Sequence, residues 1–502
     1  MHNYDVVIIG SGLGGLVCGA VLSMNGFKVG IFEKNRQIGG CLQTYSRDKV
    51  ILDTGVHYIG GLDEGQQLHQ VFKYLGIMDQ IKLKRMDIDG FDHIGFHDEE
   101  KTYRLAQGYD NFIIQLLSDF PGEEDALHKY CNKIREVCNK FPLYNLRTGD
   151  YKEKEDVLDI PTCSFINSLT TNKRLQQVLA GNNLLYAGEA DKTPLYIHAL
   201  ITNSFIESAW KCVDGGSQIA KLLGRCITRH GGKLHRNARV NSIFAETGRA
   251  EYIELDGGEK ITAKHFISNL HPAQTMEITE STTLRNAYRD RIKGLDNSIG
   301  TFLVNVVLKP DTFPYLNHNY YYHETGDAWQ GVNYTDADWP LTYALFVNAS
   351  SKCEQYADSL TLMTYMRYED VAKWQHTYNT DTAKDDRGAE YLAFKNEKAE
   401  GLLDVVEKKF PNIRSCIKAY YVATPLSYRD YQGTADGSMY GISKDYHNSF
   451  KTFISPRTRL PNLFLTGQNL NLHGILGVTI SALITCGEFI EIGQLLDKIN
   501  KA

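Results

Sequence analysis

The chain opens with a glycine-rich motif between two hydrophobic runs. The β-branched run Tyr4 to Ile9 suits a buried parallel strand. It is followed by Gly10-Ser11-Gly12-Leu13-Gly14-Gly15, which fits the pattern G-x-G-x-x-G, and then by Leu16 to Met24, an apolar segment compatible with a helix. Gly26 is placed to end that helix, and a second strand follows over Lys28 to Phe32. This order of elements predicts an α/β fold.

The glycines of this pattern have separate physical roles. Gly10 permits the tight turn, Gly12 lets the backbone approach a pyrophosphate, and Gly15 lets the helix pack close to the strand. The pyrophosphate then lies at the positive end of the helix. Glu33 closes the second strand, where an acid is expected to bind the ribose hydroxyls. The sequence therefore predicts a dinucleotide site, whose contact residues from this region are Gly10, Gly12, Gly14, Gly15, Glu33 and Lys34.

Composition excludes several other classes of protein. Lys and Arg number 54 against 60 Asp and Glu, and this balance argues against a nucleic-acid partner. The ten Cys form no CxxC and no cluster with His, which favours reduced thiols in a cytoplasmic protein without a metal site. The apolar N-terminal run lacks the basic region of a signal peptide, and no window reaches about 18 strongly apolar residues, so we expect no membrane-spanning helix.

Glycines recur at three later places where backbone can approach a bound cofactor. Gly39-Gly40 follows Glu33 closely, and Gly55 lies in the segment Asp53 to Gly61. Near the other end, Asn462 to Gln468 fits a short strand ending in a glycine turn, and a helical stretch is predicted over Thr479 to Leu496. Such a turn and helix start can direct N–H groups at a cofactor. The predicted contacts from these places are Gly39, Gly40, Gly55, Gly467, Gln468, Gly477 and Val478.

Taken together, these segments resemble the phytoene desaturase, carotene isomerase and retinol saturase family of flavoproteins. The segment Asp53-Thr54-Gly55-Val56-His57-Tyr58-Ile59-Gly60 is most similar to the retinol saturase subgroup. Gly215 to Val240 and Ala423 to Gly441 also carry the resemblance. It implies FAD as the cofactor, with backbone contact from Val240 to its adenine end. Carotene desaturases usually have Arg where this chain has Cys41, and this departure favours the saturase subgroup.

The resemblance also implies how the chain is divided. A glutathione-reductase-type Rossmann FAD domain, built from 1–75, 210–272 and 455–502, would be interleaved with a substrate domain of mixed sheet and helices, 76–209 and 273–454. Within the substrate domain, the patterns predict helices over 110–120 and 126–141 and strands over 301–308 and 360–365. The segment 147–156 is predicted to be a charged, solvated loop. No second G-x-G-x-x-G is present, so a separate NAD(P)H-binding Rossmann domain is not expected.

The activity implied by the resemblance is an FAD-dependent oxidoreduction of C=C or C–C bonds in a hydrophobic, conjugated substrate such as a retinoid or carotenoid. Saturase-type reduction is the leading expectation, with hydride from flavin N5 and a proton from a side chain or ordered water. His57 and Tyr58, which follow Gly55, and His473, which precedes Gly474, are the candidate catalytic residues. A structural role for either histidine stays open.

Other functions remain as alternatives at this point. They are a carotenoid desaturase or cis–trans isomerase, a flavin amine oxidase, and a non-catalytic flavoprotein. NAD(P)H is a candidate external electron donor, and the resemblance implies peripheral contact with a membrane surface. The sequence leaves open the identity of the substrate, the direction of electron flow and the oligomeric state.

Overall fold

The computed structural model describes residues 3–380 and 387–502, and two large β-sheets organise the described chain. The strands of the first sheet are Tyr4–Ile9, Val29–Phe32, Lys233–His235, Val240–Phe244, Tyr252–Leu255, Lys260–Ser268, Thr279–Glu280 and Leu463–Leu465. Those of the second are Asp92–Phe96, Thr102–Leu105, Gly300–Leu308, Asn319–His323, Thr342–Val347, Ser359–Met366 and Ile417–Ala423. Two smaller sheets contain Thr44–Arg47 with Val50–Asp53, and Ile59–Gly60 with Leu83–Arg85 and Ala209–Cys212.

Helices pack around these sheets. The α-helices of the described residues are Leu13–Met24, Gln67–Tyr74, Tyr109–Asp119, Glu124–Asn139, Thr162–Leu169, Lys173–Leu179, Leu195–Glu207, Ser217–Arg229, Pro272–Ile278, Asn286–Lys293, Ala389–Glu407, Ile413–Cys416, Pro425–Gln432, Ser449–Thr452, Gly474–Cys486 and Ile492–Asn500. Among the residues described, no helix is both long and apolar enough to cross a bilayer.

The first sheet has a parallel core built from distant parts of the chain. Tyr4–Ile9 lies between Val29–Phe32 and Lys260–Ser268 and is parallel to both. Leu463–Leu465 pairs in parallel with Lys260–Ser268. Val6, Val7 and Ile8 are completely buried, as expected for a parallel strand covered on both faces. The carboxyl ends of these strands therefore meet at one edge of the sheet, and the α/β expectation is confirmed.

The glycine turn and the first helix follow the sequence prediction closely. The helix Leu13–Met24 begins immediately after Gly12 and is capped at Asn25. Gly26 then adopts a φ of 87°, a conformation that favours glycine and ends the helix. The helix packs against Ser217–Arg229 and against Gly474–Cys486, so it touches the two other segments that were expected to complete this domain.

The second sheet is mainly antiparallel. Gly300–Leu308 lies between Ser359–Met366 and Ile417–Ala423, antiparallel to both. Asp92–Phe96 runs parallel to Asn319–His323 at the other side of the sheet. The observed helices Tyr109–Asp119 and Glu124–Asn139 correspond to the two predicted in this region. The residues at which each predicted domain segment begins and ends stay a prediction.

Two local predictions were wrong. The single helical stretch expected over 479–496 is two helices, because the Glu491 carboxylate accepts hydrogen bonds from the N–H groups of Gly493 and Gln494 and begins a new helix there. The charged segment 147–156 is mostly exposed, as predicted, but it is not a loop throughout. Asp150 and Glu153 form a capping box that starts a 3-10 helix over Tyr151–Val157.

Candidate active site

One cavity of about 260 Å³ brings together most of the residues that the sequence singled out. It lies at the carboxyl edge of the first sheet, between the N-terminal glycine turn and the start of the C-terminal helix Gly474–Cys486. The predicted residues on its wall are Gly12, Gly14, Gly39, Gly40, Gly55, His57, Tyr58, Gly467, Gln468, His473, Gly477 and Val478. The predicted residues outside its wall are Gly10, Gly15, Glu33, Lys34 and Val240.

The glycines of the first turn are required by close packing. A Cβ on Gly15 would press against the carbonyl oxygen of Gly10. A Cβ on Gly14 would lie 2.9 Å from Cα of Gly467, and one on Gly12 would lie 2.7 Å from Nδ2 of Asn269. The N-terminal turn and the C-terminal glycine motif therefore form one cradle that any side chain would fill. Such a cradle fits the pyrophosphate and ribityl part of a dinucleotide.

The second glycine pair lies directly on the first turn. The N–H of Gly39 donates to the carbonyl of Ser11 over 2.9 Å. A Cβ on Gly40 would lie 3.2 Å from Cα of Gly12. Gly39 and Gly40 have φ values of 121° and 57°, which L side chains rarely adopt. Glycine is therefore favoured at both positions by the backbone conformation, and at Gly40 also by the close approach of the backbone at Gly12.

Glu33 closes the turn from the end of the second strand. Its Oε2 accepts hydrogen bonds from the N–H and the hydroxyl of Ser11, over 2.9 and 2.6 Å, and its Oε1 accepts from the N–H of Asn35 over 2.9 Å. The carboxylate is buried beside the glycine turn, which is the position expected for a ribose-binding acid.

Lys34 and Val240 lie beside this region. The ammonium of Lys34 donates to the carbonyl of Asp430 over 2.7 Å, so it links the turn to the helix Pro425–Gln432. Burial lowers the pKa of Lys34. Val240 begins the strand Val240–Phe244 and pairs with Leu255. Neither residue reaches the cavity wall.

Asn269 is a site residue that sequence reasoning missed. It follows the strand Lys260–Ser268, and its N–H donates to the carbonyl of Ile9 over 2.9 Å. Its side chain packs against the Gly12, Gly14 and Gly467 positions. Its place at the carboxyl end of a buried strand could have marked it as a site residue, because ligands bind at the edge of a parallel sheet where the carboxyl ends of its strands meet.

His57 lies on the cavity wall with its ring stacked on Phe346, at a centroid distance of 4.4 Å and an interplanar angle of 6°. Both ring nitrogens are shielded from solvent, and within residues 3–380 and 387–502 neither has a hydrogen-bond partner. Burial, aided by the nearby cation of Lys211, lowers the pKa of His57 to about 4. The imidazole is therefore neutral at pH 7 and can donate one hydrogen bond and accept one.

The hydroxyl of Tyr58 is engaged in a buried polar network. It donates to Oδ2 of Asp92 over 3.0 Å and lies 2.7 Å from the hydroxyl of Tyr321. Oδ1 of Asp92 accepts from Asn319 over 2.9 Å. Burial raises the pKa of Asp92 to about 6, against the lowering effect of these hydrogen bonds. The ring of Tyr58 stacks on Phe205 at 4.3 Å, so it contributes wall surface while its hydroxyl is held by the protein.

His473 and Tyr440 form a second stacked pair on the wall, with ring centroids 4.2 Å apart. Nε2 of His473 donates to the carbonyl of Leu185 over 3.1 Å, and the hydroxyl of Tyr440 donates to the carbonyl of Leu184 over 2.9 Å. Burial lowers the pKa of His473 to about 4, so this ring is also neutral at pH 7. The pair anchors the segment 184–185 against the C-terminal motif.

The wall of the cavity is electrically neutral. The described residues that line it include no Asp, Glu, Lys or Arg. Much of the rest of the wall is apolar, with Leu200, Ile201, Phe205, Phe346 and Met363 among the lining side chains. Burial raises the pKa of the Cys41 thiol to about 11, and the thiol donates a hydrogen bond to Oε1 of Gln432. Within the described part of the chain, no cluster of three or more His, Cys, Asp or Glu suits a metal ion.

Comparisons with known proteins agree with this geometry. The model of the NAD(P)-binding Rossmann-like domain family matches residues 8–75. The chain is 25% identical to the human all-trans-retinol 13,14-reductase over 528 residues, covering 96% of this chain and 85% of that protein. It is 25% identical to the chloroplastic prolycopene isomerase of Daucus carota over 459 residues, covering 87% and 72% respectively.

Solved structures share the fold at lower identity. An oxidoreductase from Methanosarcina mazei superimposes with a TM-score of 0.62 at 18% identity, over 95% of this chain and 98% of that one. A putrescine oxidase variant with redesigned cofactor binding gives a TM-score of 0.64 at 14% identity, over 97% and 99%. The solved structures thus share the fold of this chain. The curated relatives confirm the resemblance predicted from the motifs, and the chain is an oxidoreductase related to the all-trans-retinol 13,14-reductases and the prolycopene isomerases.

Proposed function

We propose that this chain binds FAD in the glycine-lined part of the cavity and acts on C=C or C–C bonds of a hydrophobic, conjugated substrate. Reduction of a double bond, as in the retinol reductases, is the activity that we favour. The observation that carries the proposal is the meeting of three remote glycine segments at one cavity whose remaining wall is apolar and uncharged. A polyene is a long apolar ligand and matches such a wall.

The residues that would hold FAD follow from their places in the fold. Gly12 and Gly14 suit the pyrophosphate, because the helix that begins after Gly12 has no side-chain cap and leaves its first N–H groups free. Glu33 suits the adenosine ribose and Val240 the adenine. The ribityl chain and the flavin ring would lie against the C-terminal turn and the start of the helix that follows it. The residues there are Gly467, Gln468, Gly477 and Val478. Bound FAD would supply hydride-transfer chemistry.

The protein must place the substrate, exclude water and provide a proton. The apolar wall excludes water from the reacting bond. His57 is our first candidate for handling the proton, because neither nitrogen of its neutral ring has a hydrogen-bond partner among the described residues. It can hold a proton-carrying water or hydroxyl by a hydrogen bond. The hydroxyl of Tyr58 and Nε2 of His473 already have protein partners, so we assign these residues to positioning.

The alternatives differ in what they require of the same cavity. A desaturase would use the same apolar wall but would pass electrons from the substrate to the flavin. An isomerase would use it with no net transfer of electrons. A flavin amine oxidase is disfavoured by the motifs at 53–60 and 424–441 and by the lack of an acid among the described lining residues. A non-catalytic flavoprotein would bind FAD without turnover.

We also propose NAD(P)H as an external electron donor. The sequence has no second glycine fingerprint, so the nicotinamide would not bind to a separate Rossmann domain of this chain. Delivery of a lipophilic substrate favours peripheral contact with a membrane. Tyr151 and Phe450 support this, because they are 42% and 56% exposed and their rings pack 6.2 Å apart on the surface. Flotation with neutral phospholipid vesicles, compared between the native chain and the Phe450→Ser variant, tests the contact.

The proposed function is tested by following the absorption spectrum of the purified protein anaerobically while NADH or NADPH is added. Visible flavin bands that bleach with nicotinamide and recover when a polyene is added support a reductase. Flavin that stays oxidised with nicotinamide, but turns over a polyene with another redox partner, favours a desaturase or isomerase. Peroxide formation with amines favours an amine oxidase. A protein that retains no flavin after reconstitution with FAD contradicts the central proposal.

A further inference from the structure

We propose that an aromatic cage at the protein surface binds the trimethylammonium group of phosphatidylcholine in a bilayer. The cage consists of Phe141, Tyr151 and Phe453, and the ammonium of Lys154 occupies it in this structure. The inference deepens the membrane contact proposed above, because it names the lipid headgroup that the contact recognises, and it rests on that contact.

Three aromatic rings surround the ammonium of Lys154. Its Nζ lies 4.4 Å from the centroid of the Tyr151 ring. The distances from Nζ to the ring centroids of Phe453 and Phe141 are 4.6 and 5.6 Å. A cation within about 6 Å of an aromatic ring is attracted by its negative face. The planes of Tyr151 and Phe453 are 80° apart, so the rings form the sides of a recess and not a flat surface.

Tyr196 supports the two inner rings of the cage. Its buried ring stacks on Phe453 at a centroid distance of 5.7 Å and on Phe141 at 5.6 Å. Tyr196 belongs to the helix Leu195–Glu207, and Leu200 of the same helix lines the main cavity. A headgroup bound in the cage would therefore bring the bilayer to a helix that also forms part of the cavity wall.

The rings hold the ammonium of Lys154 without an acidic partner. Two acids of the same 3-10 helix are paired with other cations, Asp156 with Lys140 over 2.8 Å and Glu153 with Arg147 over 2.6 Å. Burial lowers the pKa of Lys154 to about 8, and no acid of the described chain acts against this shift. An ammonium that is withdrawn from water without an anion is unfavourable, so the cage releases it more easily than an ion pair would.

A choline group is suited to replace this ammonium. A trimethylammonium group carries the same charge but has no N–H groups, so it loses no hydrogen bonds to water when it enters the cage, and its methyl groups pack on the rings. The lipid phosphate lies next to the choline and can accept hydrogen bonds from the displaced Lys154 ammonium. The exchange thus puts one cation in place of another and provides the lysine with the anion that it lacks.

The rim of the cage favours a bilayer as the source of this group. The ring of Phe450, which is 56% exposed, lies 6.2 Å from that of Tyr151. Exposed aromatic rings favour the level of the lipid headgroups, where one side is apolar and the other is wet. Both signs of charge are exposed on the segments that carry these two rings, at Lys152, Glu155, Asp159 and Lys451. Such a mixture matches a zwitterionic lipid.

The first test measures flotation of the flavin-loaded protein with two kinds of vesicle. Equimolar phosphatidylcholine and phosphatidylglycerol are compared with equimolar phosphatidylethanolamine and phosphatidylglycerol, so that the headgroups differ only in the methyl groups on the amine. We expect the native protein to bind the first kind about fivefold more tightly. Tyr151→Leu should remove this preference, because leucine keeps apolar contact but has no ring face. Phe450→Ser should weaken binding to both kinds and keep the preference.

The outcomes separate this inference from the proposals on which it rests. Equal binding of the native protein to the two kinds of vesicle would overturn the headgroup assignment and leave the membrane contact in place. Absence of binding to either kind would contradict the membrane contact and the headgroup assignment together. The flavin spectrum with nicotinamide and polyene, recorded on the same preparation, tests the oxidoreductase proposal independently of both.

A second test uses tetramethylammonium as a soluble probe and depends neither on vesicles nor on the folding of Tyr151→Leu. Lys154→Ala empties the cage, so the affinity for the probe, measured by saturation transfer to its methyl protons, should rise about fivefold. Lys152→Ala is the matched control, because it removes the same charge from the same 3-10 helix, and in the described part of the chain the rings lie around Lys154 and not around Lys152.

An unchanged probe affinity in a folded Lys154→Ala protein would overturn the cage itself. A rise in probe affinity, combined with equal binding of the native protein to the two kinds of vesicle, would assign the cage to another quaternary ammonium and overturn phosphatidylcholine as its ligand.

Discussion

The imidazole of His57 lies flat on the ring of Phe346, with the centroids 4.4 Å apart and the planes 6° from parallel. Phe346 is buried in the strand Thr342–Val347 of the second sheet, while His57 lies two residues after Gly55. The contact therefore joins the segment after Gly55 to the second sheet. It holds the histidine ring in one plane on the wall.

Phe346→Leu should weaken substrate recognition without removing the apolar wall. Stacked aromatic pairs contribute about 0.5–1.5 kcal/mol beyond their buried area, so we expect KM to rise by up to about tenfold while kcat changes less. Leu345→Met is the matched control, because Leu345 points to the opposite face of the same strand and packs in the other hydrophobic core. An unchanged KM in a folded Phe346→Leu protein would show that the stacking does not position His57.

Gly14→Ala should abolish stable retention of FAD. Its Cβ would lie 2.6 Å from Oδ1 of Asn269 and 2.9 Å from Cα of Gly467, and the second contact is with backbone that cannot rotate away. We expect the ratio of flavin absorbance to protein absorbance to fall at least tenfold after gel filtration, with the far-ultraviolet circular dichroism unchanged.

Gly401→Ala provides the control for that experiment. Gly401 is in the helix Ala389–Glu407, and an added Cβ would meet no described residue within 4 Å apart from its chain neighbours and its own helix backbone. Alanine is favoured over glycine inside a helix by about 1 kcal/mol, so this variant should retain flavin and melt at the same or a higher temperature. Equal flavin retention in the two variants would mean that Gly14 is not part of the cofactor cradle.

The first forty residues could be read from the sequence because their structure is local. The order of strand, turn, helix and strand, with Gly26 ending the helix, depends on neighbours along the chain. Asn269 and Phe346 could not be found this way. Asn269 reaches the site because the strand before it pairs with Tyr4–Ile9, which is far away in sequence. Phe346 reaches it by stacking on His57, almost 290 residues before it in the chain, and neither residue belongs to a glycine motif.

The wrong predictions have a similar physical origin. Apolar residues occur along 474–500, but the first helix ends at Cys486 and the Glu491 side chain caps the start of a second one. The charged composition of 147–156 suggested a solvated loop, but Asp150 and Glu153 satisfy each other's backbone N–H groups and stabilise a helical turn. In both places the hydrogen bonds of one or two side chains decided the local structure, and the overall composition of the segment did not.

Glu33→Ala should both destabilise the nucleotide domain and weaken FAD binding. The substitution removes three hydrogen bonds to a buried carboxylate and leaves the N–H groups of Ser11 and Asn35 without their acceptor. Loss of such charge-assisted bonds costs about 2–4 kcal/mol in unfolding free energy. Urea unfolding of the flavin-free protein measures this part, and titration with FAD measures the binding separately.

Glu33→Gln distinguishes the two roles. The amide oxygen can still accept from one N–H group, so we expect a smaller loss of stability than in the alanine variant. If the acid binds the ribose hydroxyls, FAD affinity should fall in both variants. A full recovery of FAD affinity in Glu33→Gln would argue that only the shape of the side chain matters.

Asp92 should make the stability of the protein depend on pH in a specific window. Burial raises its pKa from 3.8 to about 6, so the folded protein binds the Asp92 proton more tightly than the unfolded chain does. The contribution of this group is therefore fully present below about pH 4 and is lost as pH rises to about 6. A shift of about two pKa units corresponds to about 3 kcal/mol in unfolding free energy.

The comparison of native protein with Asp92→Asn isolates this contribution, because the asparagine cannot titrate. His57 titrates in an overlapping window with the opposite sign, since burial lowers its pKa to about 4, but it is present in both proteins and cancels in the difference. Unfolding free energies from urea denaturation at pH 4.5, 5.5 and 6.5 should show the native protein losing its advantage over Asp92→Asn as pH rises. Asp311→Asn, at an exposed position, is the control. A pH-independent difference between the native protein and Asp92→Asn would mean that Asp92 is already ionised at low pH and that its hydrogen bonds outweigh its burial.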